Sequence, residues 1–456
     1  MSVSTPRRVA RAVLADVRSR DAWGGALLRA AIEAAGLDMR DTAFVTRLVY
    51  GTLAAEGTLD EALDRHLARP RRVHPLVRDI MRMAAYELLF ARTPAHAVVH
   101  DAVSAVRGAH PSSAGMANAV LRRVAEEAES FPWGDPATDR DALARASAHP
   151  RWLVDRFFDD LGPARAREAL DAASEPAPVY VAHNPFLDTY EDAIERFGSL
   201  GVEVEETGPP GCLRVNPPGP ALRSDVVARG SFIVSDAASQ TVAMLAAPPP
   251  GGTAVDVAAG RGTKTVLMQA AAARAGGAGR ITASDLHAFK VEILRERLTS
   301  LGVPDVDCIV VDATTDTSIA ILGGEGSADR VLVDAPCSNL GTLRRHPEKR
   351  WRLNPEEIDS LAALGERMLH VASRLVRGCG FVVYSTCTVT RRENADVVEA
   401  FLASETGRGF STAPVHGCVP EGWQQWVTSE GWLQTHPTRG GPDGHFAAVL
   451  LRSDTL

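Results

Sequence analysis

The sequence predicts a multidomain protein: an all-α N-terminal domain, a small α+β subdomain, and a C-terminal α/β domain on a doubly wound, parallel sheet. Three observations carry this. At 456 residues the chain is longer than one hydrophobic core usually serves. From about Arg7 to Glu127 apolar residues recur at helical spacing without a strand-like run. From Thr253 onward β-branched runs alternate with helical stretches. The expected domains are residues 1–130 (helical), 131–175 (linker and connecting helices), 176–228 (α+β subdomain) and 229–456 (catalytic domain).

In the helical region Val9, Val13 and Val17 recur every four residues, as do Leu59, Leu63 and Leu67. Gly36, Pro70, Pro75, Pro94 and Pro111 mark helix ends. Arg7, Arg8 and Arg11 cluster near one helix start, and Arg69, Arg71 and Arg72 fall in a loop; both groups are candidates for phosphate contact. FPWGDPATDRDALARASAHP has turn residues at close intervals and reads as a linker. The subdomain pattern is a strand (VYVAHN), a helix from Tyr190 to Ser199 and a strand after Gly201.

Five strand ends organise the catalytic domain. Thr253–Val257 leads into Ala258-Ala259-Gly260-Arg261-Gly262-Thr263-Lys264, a small-residue turn whose glycines allow close backbone approach to a ligand. The next strand, ITASD, ends in Asp285, about 20 residues on, where an acid can bind ribose hydroxyls. DCIVVDAT ends in Asp312. VLVDAPC ends in Asp334 and Cys337, and FVVYSTC ends in Cys387. In an open parallel sheet the strand C-termini line one crevice, so two thiols and an acid are expected in one pocket. That set suits a nucleophile, a second acid/base and a carboxylate around a planar substrate. Helix capping accounts for any one of these carboxylates, but not for Asp285, Asp312 and Asp334 together at successive strand ends.

Composition narrows the class. Formal net charge is −8, so nucleic-acid contact must rest on local arginine clusters. No apolar run is long enough to span a membrane, and no export signal is read at the N-terminus, so a cytoplasmic protein is expected. The six cysteines show no metal-ligand spacing, which predicts no metal site. Only three lysines occur (Lys264, Lys290 and Lys349) in a chain that otherwise uses arginine. The basic run Arg344, Arg345, Lys349, Arg350 and Arg352, with Trp351, reads as phosphate contact beside a stacked base.

Two resemblances add to this reading. DTAFVTRLVYGTLAAEGTLDEAL, VRDIMRMAAYELLF, PAHAVVHDAV and ANAVLRRV, in that order, resemble the NusB-like RNA-binding helical domain. DVAAGRGTKT, Asp285, Asp312, DAPCSNLGTLRRHPEKRW, YSTCTVTRREN and TRGGPDGHFAAVL resemble the bacterial 16S ribosomal RNA cytosine-C5 methyltransferases of the RsmB/Sun (Fmu) type. The subdomain is similar to the N-terminal, RRM-like subdomain of RNA cytosine-5 methyltransferases, with Ala182-His183-Asn184 where Arg-Val-Asn is usual. The resemblance implies a Rossmann-like class I fold that binds S-adenosylmethionine through residues 258–264, Asp285, Asp312 and Asp334. It implies Cys387 as nucleophile at carbon 6 of cytosine, Asp334 at the ring edge, Cys337 in proton loss and enzyme release, and Lys264 in support. The implied partner is 16S rRNA, naked or in an assembling small subunit, with the protein a monomer. The chain departs from the family pattern at Arg261 (proline), Thr263 (glycine), Asn339 (glycine) and His445 (phenylalanine).

Other readings are methylation of a different RNA, DNA cytosine-5 methylation, and an RNA-binding ribosome-assembly factor with a decayed methylase half. The DNA reading leaves Thr386-Cys387 without a role. The last draws on Arg261 and Thr263, against two intact cysteine motifs.

Overall fold

The computed structural model describes residues 5–20 and 24–454; the first four residues of the arginine-bearing N-terminal stretch lie outside them. The chain forms two compact units, Met1–Pro176 with Leu343–Leu353, and Ala177–Thr342 with Asn354–Leu456.

The first unit is helical: α1 (Thr5–Arg20), α2 (Gly24–Ala35), α3 (Met39–Ala54), α4 (Glu56–Asp64), α5 (Pro75–Leu89), α6 (Ala95–Ala109), α7 (Ala114–Glu127), α8 (Arg140–Ala146), α9 (Arg151–Leu161) and α10 (Pro163–Ala172). The stripes read from the sequence face its core: Val13, Val17, Leu59 and Leu63 are buried, with Val9 and Leu67 packed at the margin. Residues 131–176 pack with this unit, and so does Leu343–Leu353, which sequence order alone places in the catalytic domain. The excursion has a physical anchor. Trp351 donates its indole N–H to the Ala54 carbonyl at 2.7 Å. Its ring lies against Gly57, where a Cβ would come within 2.2 Å of it.

The second unit opens with β1 (Tyr180–His183), α11 (Tyr190–Ser199), β2 (Glu203–Glu206), β3 (Cys212–Asn216), α12 (Pro218–Arg223), α13 (Asp225–Ala228) and β4 (Phe232–Val234). The sheet is antiparallel, in the order β2-β3-β1-β4. One face packs Val181, Leu213 and Phe232 against Phe197. The other sends Tyr180, Ala182, Cys212 and Ile233 into a core shared with α14 (Ala237–Ala246). Both faces are therefore covered over β1, β3 and most of β4, while the edge strand β2 stays largely exposed.

The larger sheet is built from β5 (Thr253–Asp256), α15 (Thr263–Arg274), β6 (Arg280–Asp285), α16 (Ala288–Ser300), β7 (Val306–Val310), α17 (Thr317–Ile321), β8 (Ala328–Asp334), α18 (Lys349–Arg352), α19 (Pro355–Leu375), β9 (Val376–Thr386), α20 (Ala395–Ala403), β10 (Phe410–Thr412), β11 (Leu433–Gln434) and β12 (Phe446–Arg452); α18 itself belongs to the helical unit. Strand order is β10-β12-β9-β8-β5-β6-β7, with β11 paired to β12. The five strands from β9 to β7 are parallel, as expected. β10, β11 and β12 are antiparallel additions at the β9 side, so the sheet is mixed rather than wholly parallel.

Candidate active site

β8 and β9 are parallel neighbours in a register that sets Asp334 beside Ser385. Ser385 Oγ donates to Asp334 Oδ1 at 3.0 Å. Just past these strand ends the chain turns, and Cys337 Sγ lies 3.4 Å from Cys387 Sγ. The Cys387 backbone N–H points at Cys337 Sγ from 3.3 Å, and the Asn339 side-chain amide donates to Cys387 Sγ at 3.2 Å. Its contact with Cys387 and its burial push the Cys337 thiol well above the ordinary cysteine range.

A buried carboxylate locks the two thiol loops together. Glu393 accepts from Ser338 N (2.6 Å), Ser338 Oγ (2.7 Å) and Thr390 Oγ1 (2.6 Å). Tyr384 Oη donates to the Glu393 carbonyl at 2.7 Å, and Thr386 Oγ1 donates to Asn394 Oδ1 at 2.5 Å. Gly341 lets the loop before β12 approach: its N–H donates to the Cys387 carbonyl at 3.1 Å, and a Cβ there would lie 1.9 Å from the Gly444 carbonyl oxygen. The sequence pointed to the thiols but not to Glu393, Asn394, Ser385 or the amide of Asn339. An acid inside the polar run TRREN looks like surface until its burial is known.

The small-residue turn reaches the same place from β5. Gly262 sits at φ +81 and packs on Leu294, where a Cβ would come within 2.1 Å, so only glycine fits. Lys264, in the first turn of α15, places its ammonium 2.8 Å from Asp334 Oδ2. Burial works against that charge, but Asp334 outweighs it and leaves the lysine above its ordinary value. Thr265 donates to the buried Asp256 at 2.7 Å; burial still pushes the Asp256 carboxyl up to about 7.

Asp285, at the end of β6, accepts from the His287 backbone N–H at 2.9 Å and lies 3.3 Å from Lys290 Nζ. Asp312, just past β7, accepts from Thr314 N and Oγ1, which hold its carboxyl below the usual range. Ala258, Ala259 and Gly260 are partly exposed, and a Cβ at Gly260 would meet no protein atom within 4 Å. Open space over a glycine turn, flanked by carboxylates at two successive strand ends, fits a nucleoside with a charged amino-acid tail. The departures at Thr263 and Arg261 do not disrupt the turn: Arg297 donates to Thr263 Oγ1 at 2.7 Å and to the Arg261 carbonyl at 3.3 Å. The Arg261 side chain is exposed.

The basic run after Cys337 behaves differently from its expectation. Arg350 is fully buried, and its guanidinium donates to the carbonyls of Ala148 (3.0 Å), Ala173 (3.0 Å) and Ser147 (3.4 Å). Burial pulls it down to about 9, so it remains charged at neutral pH. It is an internal anchor of the helical unit and not an RNA contact. Arg344 is also buried; Arg345 and Lys349 are half-buried and Arg352 is exposed. In the N-terminal cluster, Arg7 pairs with Glu87 and the buried Arg11 pairs with Asp101 at 3.2 Å, so both serve packing. Arg69, Arg71 and Arg72 are exposed on the turn before α5 and make no ion pair among the described residues. No group of three or more metal-ligating side chains occurs among those residues, and no helix there is long and apolar enough to cross a membrane.

A sheet with a five-stranded parallel core, a glycine turn and successive carboxylates at its strand ends, and two thiols on the adjoining loops, is the arrangement of a Rossmann-like, S-adenosylmethionine-dependent methyltransferase. Family models agree in detail: 16S rRNA methyltransferase RsmB/F matches residues 243–451, and the NusB family matches residues 4–126. A putative methyltransferase of Mycobacterium tuberculosis is 33% identical, covering 98% of this chain and 96% of its own. The ribosomal RNA small subunit methyltransferase B of Thermus thermophilus is 32% identical, covering 99% of each chain. The chain belongs to the RsmB/F family of methyltransferases, with an N-terminal NusB domain. Among solved structures, that of PH0851 superposes with a TM-score of 0.80 at 24% identity, covering 99% of this chain and 100% of that one. That of NSun6 from Pyrococcus horikoshii with SFG gives 0.55 at 18% identity, over 67% of this chain and 99% of that one. Both share the fold.

Proposed function

We propose that the chain methylates carbon 5 of a cytosine in 16S ribosomal RNA through a covalent adduct of Cys387 at carbon 6. The observation that carries this is the pair of thiols 3.4 Å apart beside the Lys264–Asp334 ion pair, at the ends of adjacent strands. The names of relatives, such as the Thermus thermophilus small subunit methyltransferase B, support the RNA. Residues 258–264, Asp285, Asp312 and Asp334 would hold S-adenosylmethionine, which supplies an electrophilic methyl group.

Carbon 5 of cytosine is a poor nucleophile until carbon 6 is saturated. The Cys387 thiolate bonds to carbon 6, and the electron pair of the 5,6 double bond becomes available at carbon 5. Asp334, held by Ser385 and Lys264, hydrogen-bonds the ring edge and stabilises the adduct. After carbon 5 takes the methyl group, Cys337 accepts the carbon-5 proton. The sulfur–carbon 6 bond then breaks and the double bond re-forms. The Cys337 thiol is held protonated chiefly by its contact with Cys387. Once Cys387 is a neutral thioether that contribution is gone while burial remains, and Cys337 acts as the base after its own proton has passed to solvent. The target base reaches the pocket unstacked. The setting we infer is the cytoplasm, with naked or assembling RNA as substrate and a monomeric enzyme.

Nuclease digestion and mass spectrometry of 16S rRNA incubated with enzyme and cofactor tests this. Wild type yields 5-methylcytidine, and Cys387→Ala yields none. Asp334→Asn is slower by about 10²–10³-fold, the usual cost of losing one transition-state hydrogen-bonding group. Methyl transfer retained by Cys387→Ala would exclude the proposed nucleophile.

A further inference from the structure

Asn339 occupies a position where the family resemblance leads one to expect glycine, and the backbone explains that expectation. Its φ is +58, in the left-handed region that glycine enters freely and that asparagine tolerates better than most residues. The turn is fixed on every side. Ser338 is tied to Glu393 through both its N–H and its hydroxyl. The Asn339 carbonyl accepts from Thr342 N at 2.9 Å and Thr342 Oγ1 at 3.0 Å. The next residue but one, Gly341, is bonded to the Cys387 carbonyl. A side chain at position 339 is thus carried on a rigid loop, and its amide ends 3.2 Å from Cys387 Sγ.

An N–H donor aimed at sulfur stabilises the thiolate over the thiol; glycine offers none from its side chain. We propose that Asn339 is a positioning residue of this chain: its amide orients the Cys387 sulfur and hydrogen-bonds its thiolate, so that the residue accepts an unfavourable backbone conformation in exchange for a more reactive nucleophile. This rests on the reading of Cys387 as nucleophile, but its test does not need RNA or cofactor.

The rate at which iodoacetamide alkylates Cys387, followed by mass spectrometry of its peptide, is measured against pH in the full chain. Asn339→Gly is expected to move the midpoint up by about one pH unit, within the range of a hydrogen bond to a charged group. Asn339→Asp, which puts a negative charge at the same place, moves it up further. Because glycine relieves the left-handed strain, the glycine variant melts no lower than wild type, so a purely structural role predicts no midpoint shift. Superimposable wild-type and glycine profiles overturn the proposal. A shifted midpoint with methyl transfer unaffected at every pH supports the assignment of Asn339 but overturns Cys387 as nucleophile.

Discussion

Asp256 closes β5 beneath the small-residue turn, with a buried carboxyl raised to about 7. In the unfolded chain an aspartate titrates near pH 3.9. The folded state therefore holds the proton more tightly, and its stabilisation is complete below about pH 4 and lost as pH rises through about 7. Asp256→Asn keeps an acceptor for Thr265 and removes the titration. It should lose less melting temperature between about pH 5 and pH 8 than wild type does; equal losses would contradict this origin of the pH dependence. At this scale the sequence was readable where chemistry is tied to a strand end. Cys337, Cys387, Asp334, Asp285 and Asp312 could be placed because a β-branched run stops at or just before each of them. Arg350 could not. Its neighbours make it look like one arginine in a charged face, and only packing reveals that three carbonyls consume it. Arg350→Ala should cost about 3 kcal/mol of stability through the cavity and the unpaired carbonyls. An unchanged denaturation midpoint would show that the anchor contributes little.

Elements follow from local pattern, and here the sequence reading was mostly sufficient. The stripes Val9-Val13-Val17 and Leu59-Leu63-Leu67 are short-range, and the core uses both. The antiparallel direction of β12 was not readable, because an apolar run such as HFAAVLLR carries no mark of the direction in which it pairs. The turn Pro70–Arg72 illustrates a charged element left unspent: Arg7 and Arg11 are consumed by Glu87 and Asp101, whereas Arg69, Arg71 and Arg72 remain exposed. If the helical unit grips RNA by phosphate contact, replacing these three with alanine should weaken 16S rRNA binding. The slope of log affinity against log salt should fall by about 2. An unchanged slope would move RNA contact to another surface.

At the scale of the whole molecule, the boundary between units was the least legible feature. The chain leaves the catalytic unit after Thr342, passes through the helical unit as Leu343–Leu353, and returns at Asn354. Periodicity and composition are local quantities and do not report that a segment packs with residues some three hundred positions away, as Trp351 does with Ala54. The consequence is that the loop bearing Cys337 continues directly into a segment held by the NusB domain.

In the reaction we propose, Cys387 attacks the base and Cys337 releases it. The most direct measurement is a denaturing gel of Cys337→Ala incubated with protein-free 16S rRNA and S-adenosylmethionine. Without the base that removes the carbon-5 proton, the adduct should persist as an SDS-stable protein–RNA band, absent from Cys337→Ala/Cys387→Ala. A band that survives loss of Cys387, or normal turnover by Cys337→Ala with no band, would contradict the account.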